Sequence, residues 1–269
     1  RQDDYITKYE SRTGNNTISV VEGFEISSNY VFRRLAKDYY GGREEEYFNR
    51  LHEYNFGEAY DFDLTEYGSA KPSIPNIKTS ASPAYDLVSV AIGYSARVTP
   101  LQVATFYNAI ANNGKMMKPY IVESIEKDGK VRQPFKPTIL NGSICSKATA
   151  DTVTRALKMV TSEGTAKSLK NAKCQVAGKT GTSRMHLSSE ERNGSGNPYE
   201  DNLGRKKHQA TFVGFFPADE PKYTAIVVLY TNLIQHNVYG GSIPALTFRD
   251  IVDGIWAHDS QWGEELKKR

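Results

Sequence analysis

Three β-rich runs, Val176 to Ser183, Ala210 to Phe216 and Tyr223 to Tyr230, follow one another late in the chain, separated by turn residues. The chain before them carries mainly helical signals. Ser19-x-x-Glu22 reads as a capping box, and Ser27 to Asn29 caps a second helix in which Val31, Leu35 and Ala36 keep helical spacing until Gly41-Gly42. Thr99-Pro100-Leu101-Gln102 is another box, with proline at the first helical position and Leu101, Ala104, Tyr107 and Ala111 recurring until Asn113-Gly114. A further helix starts near Ser146, buries Val153, Leu157 and Val160, and stops before Gly164; a last one spans about Pro244 to Trp256. Helices first and a sheet later argue for an α/β layer architecture of the α+β type, with antiparallel strands covered on one face by the last helix. The stretch Phe56 to Ala81 is irregular. The polar, glycine-rich segment Arg184 to Lys207 reads as a mobile loop, either an unstructured insertion or a substrate gate.

The first of the β-rich runs contains Lys179-Thr180-Gly181-Thr182, a cation, two hydroxyls and a position without a side chain. These are the parts of a carboxylate and oxyanion clamp. Alternation along a strand puts Lys179 and Gly181 on one face and Thr180 and Thr182 on the other, so a twist or bulge at Gly181 is expected to bring them to one ligand. Taken alone, Lys-Thr-Gly also fits a strand end with a turn glycine. Ser27-Ser28-Asn29 supplies what such a clamp needs beside it: a hydroxyl that accepts and passes a proton, and an amide that both donates and accepts.

An S-x-N triplet followed by K-T-G, in that order, resembles the motif set of β-lactamases and penicillin-binding proteins. Ala91-Ile92-Gly93-Tyr94 with Val98-Thr99-Pro100-Leu101-Gln102, Ala109 to Gly114 with Lys118 to Val122, Gly164-Thr165-Ala166, and Ala210 to Ala218 extend the similarity. From about Thr17 to about Ile255 the chain resembles the transpeptidase domain of monofunctional, class B penicillin-binding proteins, the division type favoured over the elongation type. The resemblance implies a penicillin-binding-protein/β-lactamase-like fold, with a mainly helical part over 17–170 and a sheet part over 171–269. Ser95 departs from it, standing where many relatives have a second glycine; a positive φ there would strain the serine.

No serine in the sequence is followed three positions later by lysine, so the S-x-x-K element that carries the family's nucleophile is missing. The expectation is a C-terminal fragment of a larger enzyme, a transpeptidase domain incomplete at its N-terminus and inactive alone.

Balanced charge, 34 basic against 31 acidic residues, argues against a nucleic-acid footprint. The five histidines show no ligand spacing, and no metal or cofactor is expected. Cys145 and Cys174 read as reduced structural thiols. Tyr94, Phe212, Phe215 and Phe216 read as core before cleft.

By resemblance, Ser27, Asn29 and Lys179 are catalytic, while Thr180, Gly181 and Thr182 bind substrate. The partners implied are D-Ala-D-Ala stem peptides of peptidoglycan, β-lactam antibiotics and membrane proteins of cell division or elongation. The location implied is the outer side of the cytoplasmic membrane, with an anchor helix upstream of this sequence. Two other readings stay open: a D,D-carboxypeptidase or β-lactam-sensing relative, and a non-catalytic binding module.

Overall fold

The computed structural model describes residues 5–11, 14–60 and 70–258. In chain order, strands β1 (Tyr5–Ser11) and β2 (Gly14–Ser19) form an antiparallel hairpin that leads into helices α1 (Val20–Glu25), α2 (Asn29–Tyr40) and α3 (Glu44–Glu53). Helices α4 (Pro83–Val90) and α5 (Pro100–Ala111) follow, then short strands β3 (Met116–Met117), β4 (Ser124–Lys127), β5 (Lys130–Pro134) and β6 (Ile139–Asn141). Helix α6 (Lys147–Ser162) and a single 3-10 turn (Lys167–Leu169) precede β7 (Ala177–Arg184), α7 (Ser189–Arg192), β8 (His208–Phe216), β9 (Tyr223–Tyr230) and α8 (Ile243–His258).

The capping boxes form as the sequence predicts. Ser19 Oγ accepts from the Glu22 amide while the Glu22 carboxylate accepts from the Ser19 amide, and Thr99 and Gln102 repeat the pattern at α5. Helices α3 and α4 lie outside the sequence reading. Their signals are the acidic first turn Glu44-Glu45-Glu46 with Arg50 and His52 in the last turn, which match the helix dipole, and Pro83 at the start of α4.

The chain divides into two compact units, one of residues 1–31 with 153–269 and one of residues 32–152. This differs from the expected split at 170/171, because the S-x-N turn and the end of α6 belong with the sheet. In the first unit β7, β8 and β9 form an antiparallel sheet in that order, with β8 central. Central position explains why Phe212, Val213, Phe215 and Phe216 are all buried, from both faces of the strand. Phe212 and Phe216 meet Phe248 of α8 edge to face, at ring-centroid distances of 4.8 and 5.6 Å, and Val160, Leu169, Val176, Ala245 and Val252 complete this core. These phenylalanines are core, as the sequence predicts.

The second unit has its own core of Ala36, Phe48 and Leu87, with Tyr40, Tyr47, Leu51 and Val90 packed on it. Ser95 takes φ 60°, the left-handed conformation in which a serine is strained, and its hydroxyl lies 2.8 Å from that of Ser89. Of the irregular stretch expected over 56–81, residues 61–69 lie outside the described residues.

The segment 184–207 is a hydrogen-bonded excursion and not the unstructured insertion that its composition allows. Asp201, whose side chain is fully buried, accepts from the amides of Leu203 and Arg205 and from Arg205 Nε. Leu187 is buried, Ser188 caps α7 with a capping box, and Glu191 pairs with Lys207. Polar composition hides such order, because a loop can be tied by carboxylates accepting backbone N–H groups without any apolar periodicity. Cys145 and Cys174 are both free thiols; burial, with Asp253 adding to it, pushes Cys174 up to about 12.

Candidate active site

Ser27 occupies an unusual backbone position. After α1 ends, the Ser27 amide donates to the Phe24 carbonyl at 3.2 Å and the Ser28 amide to the Gly23 carbonyl at 2.8 Å, the two bonds of a Schellman cap. The residue at Ser27's place in that cap must be left-handed, and Ser27 has φ 57° where glycine is the usual occupant. Ser28 Oγ then accepts from the Val31 amide and starts α2. One tight turn thus ends one helix, begins the next and presents a serine hydroxyl at its apex. The strain is separable from the bond that this hydroxyl accepts from Lys179: in a Lys179→Met background, where no buried ammonium needs that acceptor, Ser27→Gly should stabilise the fold by up to about 1 kcal/mol; a urea midpoint unchanged or lowered there would contradict the strain.

The strand carrying Lys179 reaches the turn without distortion. Register between β7 and β8 is continuous through Gly181↔Thr211, so the bulge expected at Gly181 is absent. Convergence comes instead from the length of the lysine. Just past the strand, the Met185 amide donates to the Lys207 carbonyl, so odd-numbered residues of β7 turn their backbone polar groups to β8. Those of Thr180 and Thr182 face the open edge, β7 being the edge strand of its sheet among the described residues. Lys179 Nζ bends round this edge, donating to the Thr180 carbonyl at 3.2 Å and to Ser27 Oγ at 2.6 Å, with the Phe24 ring 5.8 Å away. Burial lowers Lys179 to about 8, close to neutrality.

Ser27, Asn29, Thr180 and Thr182 line one cavity of about 600 Å³ together with Thr165, Tyr239, Gly240 and Gly241. Gly181 is not in its wall. Gly240 rests on Gly181 so closely that a β-carbon on Gly240 would lie 2.6 Å from the Gly181 carbonyl oxygen. The Gly240 amide donates to Thr182 Oγ1 at 3.0 Å, which leaves the Thr182 hydroxyl proton for another acceptor. Thr180 Oγ1 lies 2.7 Å from Thr165 Oγ1. The structure so brings together five of the six residues expected from sequence at the cavity or bonded to its wall, and adds Thr165 and the 239–241 segment. Thr165 was legible only as part of Gly164-Thr165-Ala166. Nothing local in Tyr239-Gly240-Gly241 points to the site, although paired glycines before a helix are a sign of close backbone approach.

The arrangement has a defined chemistry. An ammonium that donates to Ser27 Oγ turns the serine's own proton outward, towards the cavity, so Ser27 can protonate a departing group and recover the proton from Lys179. The Thr182 amide at the strand edge is a donor for a developing oxyanion, and the hydroxyls of Thr180 and Thr182 are donors for an anion. Among the described residues no group of three acidic, histidine or cysteine side chains is arranged to hold a metal ion.

Fold and site define a cleft with a Ser–Lys pair beside a group of threonine hydroxyls, on the edge of an antiparallel sheet. The family model for the penicillin-binding protein transpeptidase domain matches residues 1–253, and the chain belongs to that family. It is 34% identical over 187 residues to penicillin-binding protein H of Bacillus subtilis (strain 168), a match covering 67% of this chain and 24% of that protein. It is 25% identical over 272 residues to the peptidoglycan D,D-transpeptidase FtsI homolog of Mesostigma viride, covering 94% and 42%. The solved structures of penicillin-binding protein 2B from Streptococcus pneumoniae (strain R6) and of penicillin-binding protein 3 from Mycobacterium tuberculosis complexed with aztreonam share its fold. The first gives a TM-score of 0.73 at 21% identity over 95% of this chain and 42% of that one, the second 0.74 at 24% over 95% and 56%. The chain therefore spans well under two thirds of the length of these relatives.

Proposed function

We propose that this chain is the proton-relay and carboxylate-binding part of a serine D,D-transpeptidase that cross-links peptidoglycan stem peptides ending in D-Ala-D-Ala and is acylated by β-lactams. The observation that carries this reading is the 2.6 Å contact of Lys179 Nζ with Ser27 Oγ in the wall that also holds Thr180 and Thr182. An extended peptide added along the open edge of β7 meets the Thr180 and Thr182 backbone groups by main-chain pairing. Its terminal carboxylate then meets the threonine hydroxyls and Lys179, and its scissile carbonyl the Thr182 amide. Ser27 protonates the departing D-alanine. The attacking serine and its lysine come from outside these 269 residues, since no S-x-x-K is among them.

The setting proposed with this function is the outer side of the cytoplasmic membrane, in the company of cell-division proteins. Among the described residues no helix is long and apolar enough to cross a membrane. The absence of S-x-x-K from the sequence favours one second reading, a module that keeps the carboxylate receptor without the chemistry.

Fluorescent penicillin, with covalent attachment read by mass, separates these readings when applied to the 269-residue chain and to the product of the complete open reading frame. Labelling of the complete product alone is expected. Labelling of neither would favour the module, and labelling of the 269-residue chain would place the nucleophile on one of its own serines.

A further inference from the structure

Thr165 has no part in the relay just described, yet its backbone is held on both sides. Its amide donates to the Glu25 carbonyl at 3.3 Å, at the end of the helix that leads to Ser27. Its carbonyl oxygen lies under Gly241, where a β-carbon would come within 1.9 Å. With its backbone fixed on both sides and its side chain branched at the β-carbon, Thr165 keeps its hydroxyl in a narrow range of positions. That hydroxyl meets Thr180 Oγ1 at 2.7 Å. Two hydroxyls at this distance share one proton in the bond between them, so one proton of the pair remains to be directed elsewhere.

We propose that Thr165 is a positioning residue of the carboxylate receptor: its hydroxyl orients that of Thr180, so that the pair presents its remaining proton to the terminal carboxylate of a bound peptide. The proposal rests on the reading of this cavity as a peptide-carboxylate site. The wall then offers the proton of the Thr165–Thr180 pair and the Thr182 hydroxyl, whose oxygen is already occupied by the Gly240 amide, with the Lys179 ammonium behind Ser27. Such a set favours a ligand group that only accepts. A carboxylate satisfies it, whereas a terminal carboxamide brings its own N–H donors against it. Thr165 therefore contributes to selectivity for a free C-terminus without touching the bond that reacts.

The test uses the 269-residue chain and two probes, an N-acetylated peptide ending in D-Ala-D-Ala and the same peptide as its C-terminal amide, with affinities measured by calorimetry or NMR titration. The native chain should prefer the acid. Thr165→Val, which keeps the size and the backbone bonds of this exposed side chain, should lower the acid-to-amide ratio by about tenfold, and Thr165→Ser, which keeps the hydroxyl but not the β-branch, should lower it less. Thr180→Val should lower the ratio, and adding Thr165→Val to it should lower it no further. If Thr180→Val loses selectivity while Thr165→Val keeps it, the role of Thr165 falls and the peptide-carboxylate reading stands. If the native chain shows no preference for the acid, that reading fails and the role of Thr165 fails with it.

Discussion

Replacing Lys179 by alanine in the complete protein should slow acylation by β-lactams about ten- to a hundredfold, the loss expected when one charge-assisted partner of a ligand carboxylate, worth about 1.5–3 kcal/mol, is removed. The same lysine donates to Ser27 Oγ, so under the proposed function the variant loses the cation for the carboxylate and the proton source for Ser27 together. A stability signature in the 269-residue chain accompanies the kinetic one. Burial lowers Lys179 from 10.5 to about 8 in the folded chain, so between these values the unfolded chain holds more protons. Stability therefore rises as pH increases through this window; the contribution is fully present above about 10.5 and is lost as pH falls through about 8. Lys179→Met should flatten that rise while keeping the aliphatic bulk. Unchanged acylation in the alanine variant would remove Lys179 from the site, and an unchanged pH profile in the methionine variant would remove it from its buried position.

The second large effect lies in the core. Phe248 is fully buried and meets Phe212 and Phe216 edge to face, so Phe248→Ala should cost about 3–5 kcal/mol of stability, read as a lower urea midpoint. Phe212 pairs with Thr180 in the register of β7 and β8, so a cavity under it should loosen the strand that carries Lys179, Thr180 and Thr182. A shift below about 1 kcal/mol would mean that α8 does not seal this face of the sheet.

The sequence makes the sheet legible because a buried central strand needs apolar side chains on both faces, and Ala210 to Phe216 has them. It makes the helix starts legible because Ser19, Thr99 and Pro100 each perform a local, nearest-neighbour task. Helix α3 escapes such a reading because its evidence is charge placement along the helix, with Phe48 its one buried residue. At the site, residue identity is legible and mechanism of convergence is not. Alternation correctly separates Lys179 from Thr180 and Thr182, but a strand pattern says nothing of a lysine reaching round the strand edge to a turn 152 positions away. Thr165 is hidden for the same reason: its place in the cavity wall depends on Glu25, Thr180 and Gly241, none of which is its neighbour in sequence.

The division of the chain also sets an order of events during synthesis. Residues 32–152 form a continuous unit, whereas the unit bearing the site is made of the segments before and after it. The Ser27 turn leaves the ribosome first, and Lys179 is polymerised 152 positions later, roughly 8–30 s at bacterial and eukaryotic elongation rates of about 5–20 residues per second. The intervening unit has all its own residues in hand before the K-T-G strand exists. The Lys179–Ser27 hydrogen bond thus closes only after the intervening unit has been synthesised, and Ser27 spends that interval without its cationic donor.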